Sequence, residues 1–357
     1  MLLLPTSPCI KIHKPMGEKT VALLKQLNLF NRELKIEQKN NSLYIPLSRK
    51  PTVNELKKLR KTLETVEVAV HDFNAKKLQP KTFVDLLEKE MPPHLIASLP
   101  RAVDFVGDIA IIEVPPELAE YKKKIGQAIM ATNKRVRTVL AKTSPIKGVH
   151  RTREFEPIAG EAKTATVHKE NGCVFYVDLF KAYFSPRLSN EHARIANMVN
   201  EGEIVIDMFS GVGPFAIQIA KQHKNVHVYA VDVNPEAIEL LNRNIAANRV
   251  ADKVTAILGD VRQVVHDRLN GTADRVLMNL PEKAIEYVDA ACRAIKPTGG
   301  IIHYYEFANA RTSKTSELRL IEAVEKTKRR VAKVLLSKTV RATAPYTWQV
   351  VVDARIK

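Results

Sequence analysis

The run Ile204-Val-Ile-Asp-Met-Phe-Ser-Gly-Val-Gly-Pro-Phe-Ala-Ile-Gln-Ile-Ala220 decides the fold. An apolar segment of strand length ends in Asp207. A turn built on Gly211 and Gly213 follows, and an apolar helical pattern starts at Pro214. A second apolar run, Val226-His-Val-Tyr-Ala-Val231, ends in Asp232. Strand, glycine turn, helix, strand and carboxylate make a nucleotide-binding βαβ unit, in which glycine admits a ligand close to the backbone and the acid grips a ribose diol.

The identity of the nucleotide follows from what surrounds the turn. A dinucleotide site calls for G-x-G-x-x-G, with the helix N-terminus aimed at a pyrophosphate. Here an acid precedes the turn and Pro214 closes it. A carboxylate in that place repels phosphate and suits an amino group or a sulfonium, which points to S-adenosylmethionine. Asp260, at the end of the next strand-like run, adds a third acid. A doubly wound domain for some other ligand is the bland alternative.

Downstream, helix and strand alternate. Helices are expected over residues 235–248, 284–295 and 316–328. Strands are expected over 254–258, 275–278 and 300–305, followed by two closing strands at 331–340 and 347–353. This α/β rhythm of five parallel strands and two closing ones predicts the Rossmann-like seven-stranded sheet of class I SAM-dependent methyltransferases. Ligands lie at the carboxyl ends of such strands, where Asp207, Asp232, Asp260 and Asn279 all stand. Asp260 or Asn279 alone reads equally as a helix cap. In Asn279-Leu-Pro281 the amide can accept from one base-edge atom and donate to another.

Upstream, two smaller α+β domains are expected, over residues 1–73 and 74–182, with 183–357 as the cofactor domain. The first shows a strand at 9–13, a helix at 17–27, strands at 34–38 and 43–47 bracketing the turn Lys39-Asn-Asn-Ser42, a helix at 53–63 and a strand at 66–70. Residues 74–80 read as a linker. The second shows a helix near 83–89, a hairpin turning at Gly107-Asp108, a helix from Pro115 to about Ala131, and strands at 136–141, 149–158 and 164–168. The Asn171-Gly172 signal then turns the chain back into 173–179.

The chain has 357 residues, with 56 Lys and Arg against 39 Asp and Glu, a net charge of +17. Residues 1–65 hold 13 Lys and Arg against 5 Asp and Glu, so +8 of that excess sits in a short segment. Such a surplus favours a polyanion, most simply nucleic acid; a lysine-rich solvated surface has the same composition. No apolar run is long enough to span a bilayer and the start lacks a basic n-region, so a cytoplasmic monomer without membrane contact is expected. Cys9, Cys173 and Cys292 are odd in number and far apart, which suits a reducing compartment. No Cys or His pair has metal-ligand spacing, and no metal is expected.

Two blocks remain outside the cofactor pattern. Tyr183-Phe-Ser-Pro-Arg187-Leu-Ser-Asn-Glu191-His192 leads into the first strand, and His150-Arg151-Thr-Arg153-Glu154-Phe-Glu156 is expected to put Arg151 and Arg153 on one strand face. Plain ion pairing or phosphate contact explains the arginines as well, and Glu191 as well reads as a first-turn helix acid.

These blocks, with Ile158-Ala-Gly-Glu161, Val167-His-Lys-Glu-Asn-Gly172, Met278-Asn-Leu-Pro281 and His303-Tyr-Tyr305, resemble the archaeal and eukaryotic tRNA (guanine-37 N1)-methyltransferase family nearly end to end. The resemblance implies RNA-binding N-terminal domains, the first on the tRNA elbow and the second on the anticodon stem, and a tRNA carrying guanosine 37 as partner. It implies Glu191 as general base, Arg151 as the group facing O6, and Tyr183 and Asn279 beside the base. Arg153, Arg187 and Pro281 join the substrate side. The S-adenosylmethionine set is Asp207, Phe209, Gly211, Gly213, Asp232, Val233, Asp260, Val261 and Asn279. His192 completes it, at a position where relatives often carry arginine. The chemistry requires such parts, because N1 of guanine carries a proton and negative charge gathers on O6 as it leaves. A paralogous aminocarboxypropyl transferase at the same nucleotide, or a non-catalytic tRNA-binding protein, would share much of this pattern.

Overall fold

Alternating apolar residues over Thr6–His13 make the first strand, β1. Its Ile10 and Ile12 face a core with Leu24, Ile45, Leu47 and Leu59, while Cys9 packs on the opposite face with Leu34 and Phe73. Helix α1 (Gly17–Gln26), strands β2 (Glu37–Lys39) and β3 (Ser42–Pro46), helix α2 (Val53–Thr62) and strand β4 (Glu67–Asp72) complete an antiparallel sheet of order β2-β3-β1-β4. Thr52 and Glu55 exchange hydrogen bonds as a capping box that starts α2. The computed structural model describes residues 4–63, 66–75, 82–88, 90–146, 148–309 and 313–357, in two units, 1–81 and 82–357. Most of the expected linker, residues 76–80, lies outside the described residues.

The second unit opens with short helices α3 (Phe83–Leu87) and α4 (Pro93–Ala97). A mixed sheet follows, of strands β5 (Asp104–Val106), β6 (Ile109–Ile112), β7 (Thr138–Lys142) and β8 (Phe155–Gly160), with helix α5 (Lys122–Thr132) as the crossover between parallel β6 and β7. Ile112, Ile125, Ile129 and Val139 fill its core. The hairpin β9 (Ala165–Glu170) and β10 (Cys173–Asp178) turns at Asn171 and Gly172, both left-handed at φ 47° and 76°, as a two-residue primed turn requires.

Helix α6 (Ser189–Met198) leads into the large sheet. Its elements are β11 (Ile204–Asp207), α7 (Pro214–Gln222), β12 (His227–Asp232), α8 (Pro235–Asn248), β13 (Val254–Leu258), α9 (Val261–Val264), β14 (Arg275–Met278), α10 (Val288–Ala294), β15 (Gly300–Ala308), α11 (Lys314–Glu325), β16 (Val331–Ala344) and β17 (Thr347–Ile356). The strand order is β13-β12-β11-β14-β15-β17-β16. The first five run parallel, and β17 lies antiparallel between β15 and β16. Val205, Ile206, Val228, Val276 and Leu277 are fully buried in this sheet, as strands covered on both faces demand. The expected α/β class and seven-stranded sheet are therefore present.

Several local expectations change: the helix expected from Pro115 begins as a 3-10 segment, Pro116–Tyr121, before α5, and the strand expected over 34–38 covers only Glu37–Lys39. The strand placed at 149–158 begins only at Phe155. Before it the chain turns, the Arg151 amide donating to the Gly148 carbonyl at 3.2 Å with Arg151 at φ 54°; Arg151 and Arg153 therefore do not share a strand face. The helix expected over 284–295 is a 3-10 turn, Ala284–Tyr287, followed by α10. The segment after Asp260, for which no helix was expected, forms α9 and a wide π turn, Val265–Leu269. Among the described residues no helix is long and apolar enough to cross a membrane.

Candidate functional site

The carboxyl ends of β11, β12 and β14 and the start of α9 surround a cavity of about 220 Å³. Phe209, Gly211, Asp232, Val233, Asp260, Val261, Asn279 and Pro281 line it, as do Arg151, Tyr183 and His192. Asp232 Oδ2 accepts from the Gly211 amide at 2.7 Å and Oδ1 from the Asn234 amide at 2.9 Å, which ties the glycine turn to the end of β12. Burial raises the Asp232 carboxyl above its usual range. Asp260 is the N-cap of α9, accepting from the Arg262 amide at 2.8 Å, so it caps a helix and lines the cavity at once. Phe209 meets Tyr287 edge to face, ring centroids 5.0 Å apart, and with Val233 and Val261 they offer apolar walls for a flat heteroaromatic ring. Tyr287 carried no sequence signal.

Asp207 and Gly213 stand behind this wall. Asp207 is fully buried, burial pushes its carboxyl up to about 7, and only the Phe209 main-chain amide opposes that. Neither Asp207 oxygen has a hydrogen bond of normal geometry; a buried acceptor without a partner fits a site that awaits a cation. Gly213 serves packing: at φ 87° it caps α7, and a Cβ there would lie 2.3 Å from Leu241 Cδ1. The residues thus fit S-adenosylmethionine, with aromatic and apolar walls for the adenine, Asp232 for the ribose and buried negative potential for the amino-acid end.

A second cavity, about 200 Å³, adjoins the first and shares Arg151, Tyr183, Ser185, Glu282 and Arg341 with it. Arg153, Arg187 and Phe155 line it as well. The Arg151 guanidinium lies 5.1 Å from the Tyr183 ring centroid, with Nη2 3.5 Å from Glu282. Its Nε and Nη1, and Arg153 Nε, are buried without partners. Buried guanidinium N–H groups that lack acceptors are costly, so this cavity is built to receive oxygen atoms. Arg187 instead pairs with Asp104 at the rim.

Glu191 does not line either cavity, although its neighbours Leu188 and His192 do line the first. It is buried on the first turn of α6, where Arg194 holds its carboxylate with three contacts of 2.6–3.0 Å. The Tyr305 hydroxyl donates to it at 2.8 Å and Lys338 lies 3.4 Å away. Burial works against its charge, but Arg194 first, then Tyr305 and Lys338, more than offset this and hold the pKa below the usual value. Arg194 also donates to Asp353 at 2.6 Å, and Asp353 accepts from His303 Nδ1 at 2.6 Å. Arg275, which has donors only, faces His303 Nε2 at 2.7 Å. That nitrogen must therefore accept, which leaves His303 neutral with its proton on Nδ1; burial lowers its pKa accordingly.

His192 points Nδ1 at Glu170, 2.7 Å away, and packs edge-on against Phe215. Glu170 is buried, but His168 and His192 outweigh that burial and hold it at about 2. Arg341 and Gln349, which sequence reasoning missed, complete the wall: Arg341 Nη2 donates to the Tyr183 hydroxyl at 3.2 Å, Nη1 to Ser185 at 2.8 Å and Nε to Gln349 Oε1 at 2.9 Å. Gln349 Nε2 donates to Asn279 Oδ1 at 3.1 Å. Cys9, Cys173 and Cys292 are free and buried, and no cluster of ligating side chains among the described residues could hold a metal.

Comparison with known proteins adds to this geometry. The TRM5/TYW2 methyltransferase domain matches residues 166–334, the TYW2 N-terminal domain 83–164 and the tRNA methyltransferase 5 N-terminal domain 9–55. The chain is 38% identical to the tRNA (guanine(37)-N(1))-methyltransferase Trm5b of Pyrococcus abyssi over 97% of its own length and 98% of that protein's. It superposes on crystalline Trm5b of that organism with a TM-score of 0.81 and 36% identity, covering 98% of this chain and 99% of that one. A structure of aTrm5 in complex with tRNALeu matches with a TM-score of 0.75 and 34% identity, over 98% of this chain and 99% of that one.

Proposed function

The chain belongs to the TRM5/TYW2 family of tRNA methyltransferases, and from that premise we propose that it methylates N1 of guanosine 37 in tRNA, with Glu191 as general base and Arg151 at O6. One observation carries the reading: two cavities meet at Tyr183 and Arg151, one edged by strand-end acids and the other by arginine donors without acceptors. S-adenosylmethionine, when bound, supplies an electrophilic methyl group. The target base leaves its stack to reach a buried site, and Tyr183 offers it an aromatic face. Arg151 donates to O6 as charge gathers there. Glu191, held charged by Arg194, turns from that partner to take the N1 proton.

Arg153, Arg187 and Pro281 border the base and its flanking phosphates, and His192 completes the cofactor wall. Residues 1–73 grip the tRNA elbow and 74–182 the anticodon stem, the basic surplus of the first module supplying phosphate contacts. The protein works as a cytoplasmic monomer. Replacement of Glu191 tests the chemistry. Glu191→Gln should lower the single-turnover methylation rate roughly a hundredfold while tRNA affinity stays nearly intact; an unchanged rate removes Glu191 as base.

A further inference from the structure

We propose that Gln349 and Arg341, on the two closing strands, orient the Asn279 amide so that it offers a donor to the target base, and thereby select a purine with an oxygen at C6 over one with an amino group. The inference rests on the guanosine-37 reading above and adds two positioning residues to it. Its basis is a chain of hydrogen bonds whose polarity is fixed at one end. A guanidinium has donors only, so the Gln349 atom 2.9 Å from Arg341 Nε is its oxygen. The other end of the Gln349 amide is then its NH2, which donates to Asn279 at 3.1 Å and makes the facing Asn279 atom its oxygen. By elimination Asn279 turns its Nδ2 donors to the remaining side, and Asn279 lines the cavity that adjoins the arginine-rich one.

The relay is held firmly. Arg341 and Gln349 are directly opposed on antiparallel β16 and β17, and Gln349 is 1% exposed. Arg341 is anchored at its far end by Tyr183 and Ser185, so it cannot turn without giving up three bonds. An inverted Asn279 would set its NH2 against the Gln349 NH2, two donors with no acceptor between them. A donor in the cavity meets guanine O6 favourably and meets the adenine N6 amino group donor to donor. Leaving buried polar groups unpaired is how a site rejects a close analogue.

The test uses the full-length protein with tRNA transcripts carrying guanosine or adenosine at position 37, under single-turnover conditions. Gln349→Glu accepts from both Arg341 and Asn279, so it inverts the Asn279 amide; Gln349→Met removes the orienting contact without imposing the other orientation. Binding of S-adenosylhomocysteine checks that each variant is folded. Gln349→Glu should slow guanosine methylation at least tenfold and shift the guanosine-to-adenosine rate ratio toward adenosine by more than Gln349→Met does. An unaltered ratio in a folded Gln349→Glu protein overturns the relay, as does an equal shift in the two variants. If Gln349→Glu loses S-adenosylhomocysteine binding, the same ratio measured on Gln349→Met and Arg341→Met decides: both must relax it, and a ratio unmoved in either overturns the proposal. A wild-type enzyme that leaves guanosine-37 transcripts unmodified while binding S-adenosylhomocysteine contradicts the functional reading instead.

Discussion

Asp207 and Glu191, both buried carboxylates at the start of the catalytic sheet, sit in opposite electrostatic settings. Glu191 has three donors and is held below the ordinary range, whereas burial pushes Asp207 up to about 7. A raised carboxyl favours the folded state when protonated. Its stabilising share fades as pH rises from about 4, the value in the unfolded chain, to about 7. A cationic ligand end favours the ionised form, so S-adenosylmethionine binding should expel the proton. Calorimetric affinity should tighten about tenfold between pH 6 and pH 8, and Asp207→Asn should flatten the profile; a pH-independent wild type refutes this role. The place of Asp207 at the end of β11 was legible, because an apolar run stops there before a glycine turn. Arg194 stood three residues after Glu191 on one helix face, a spacing that permits pairing. Gln349 and Arg341 had no such signal, since their meeting depends on cross-strand register, which alternation alone does not specify.

At the scale of elements, the glycine turn shows how packing, and not only ligand access, fixes residue choice. Gly213 has a left-handed backbone and no room for a methyl group beside Leu241. Gly213→Ala should therefore cost roughly 2–4 kcal/mol in urea unfolding, because backbone strain and overpacking add. Gly172→Ala has equal strain but open space, and should cost only about 1 kcal/mol. Equal costs at the two sites would mean that the Leu241 contact is relieved at little expense. The parallel strands were readable from their apolar runs, and three hairpins from Lys39-Asn-Asn-Ser42, Gly107-Asp108 and Asn171-Gly172. The Gly148–Arg151 turn was not, because His150-Arg-Thr-Arg-Glu154 is polar throughout and has no apolar period to mark where the true strand begins.

For the molecule as a whole, charge is unevenly shared, with +8 of the +17 in residues 1–65. That unit has a core of its own around Ile10, Leu24, Ile45 and Leu59. Removing residues 1–81 should weaken binding of whole tRNA and make the remaining affinity less sensitive to salt, with S-adenosylmethionine affinity unchanged; equal tRNA affinity and salt slope would refute a tRNA role for the first unit. The aminocarboxypropyl alternative shares fold and partner and differs in which bond to sulfur breaks. The decisive measurement is therefore nucleoside mass mapping of a guanosine-37 tRNA after incubation with the enzyme and S-adenosylmethionine, with the spent donor identified in the same reaction. An N1-methyltransferase leaves one methyl group on N1 of guanosine 37 and S-adenosylhomocysteine in equal amount. An aminocarboxypropyl adduct with methylthioadenosine, or a methyl group on any other atom or nucleotide, would contradict the proposed function.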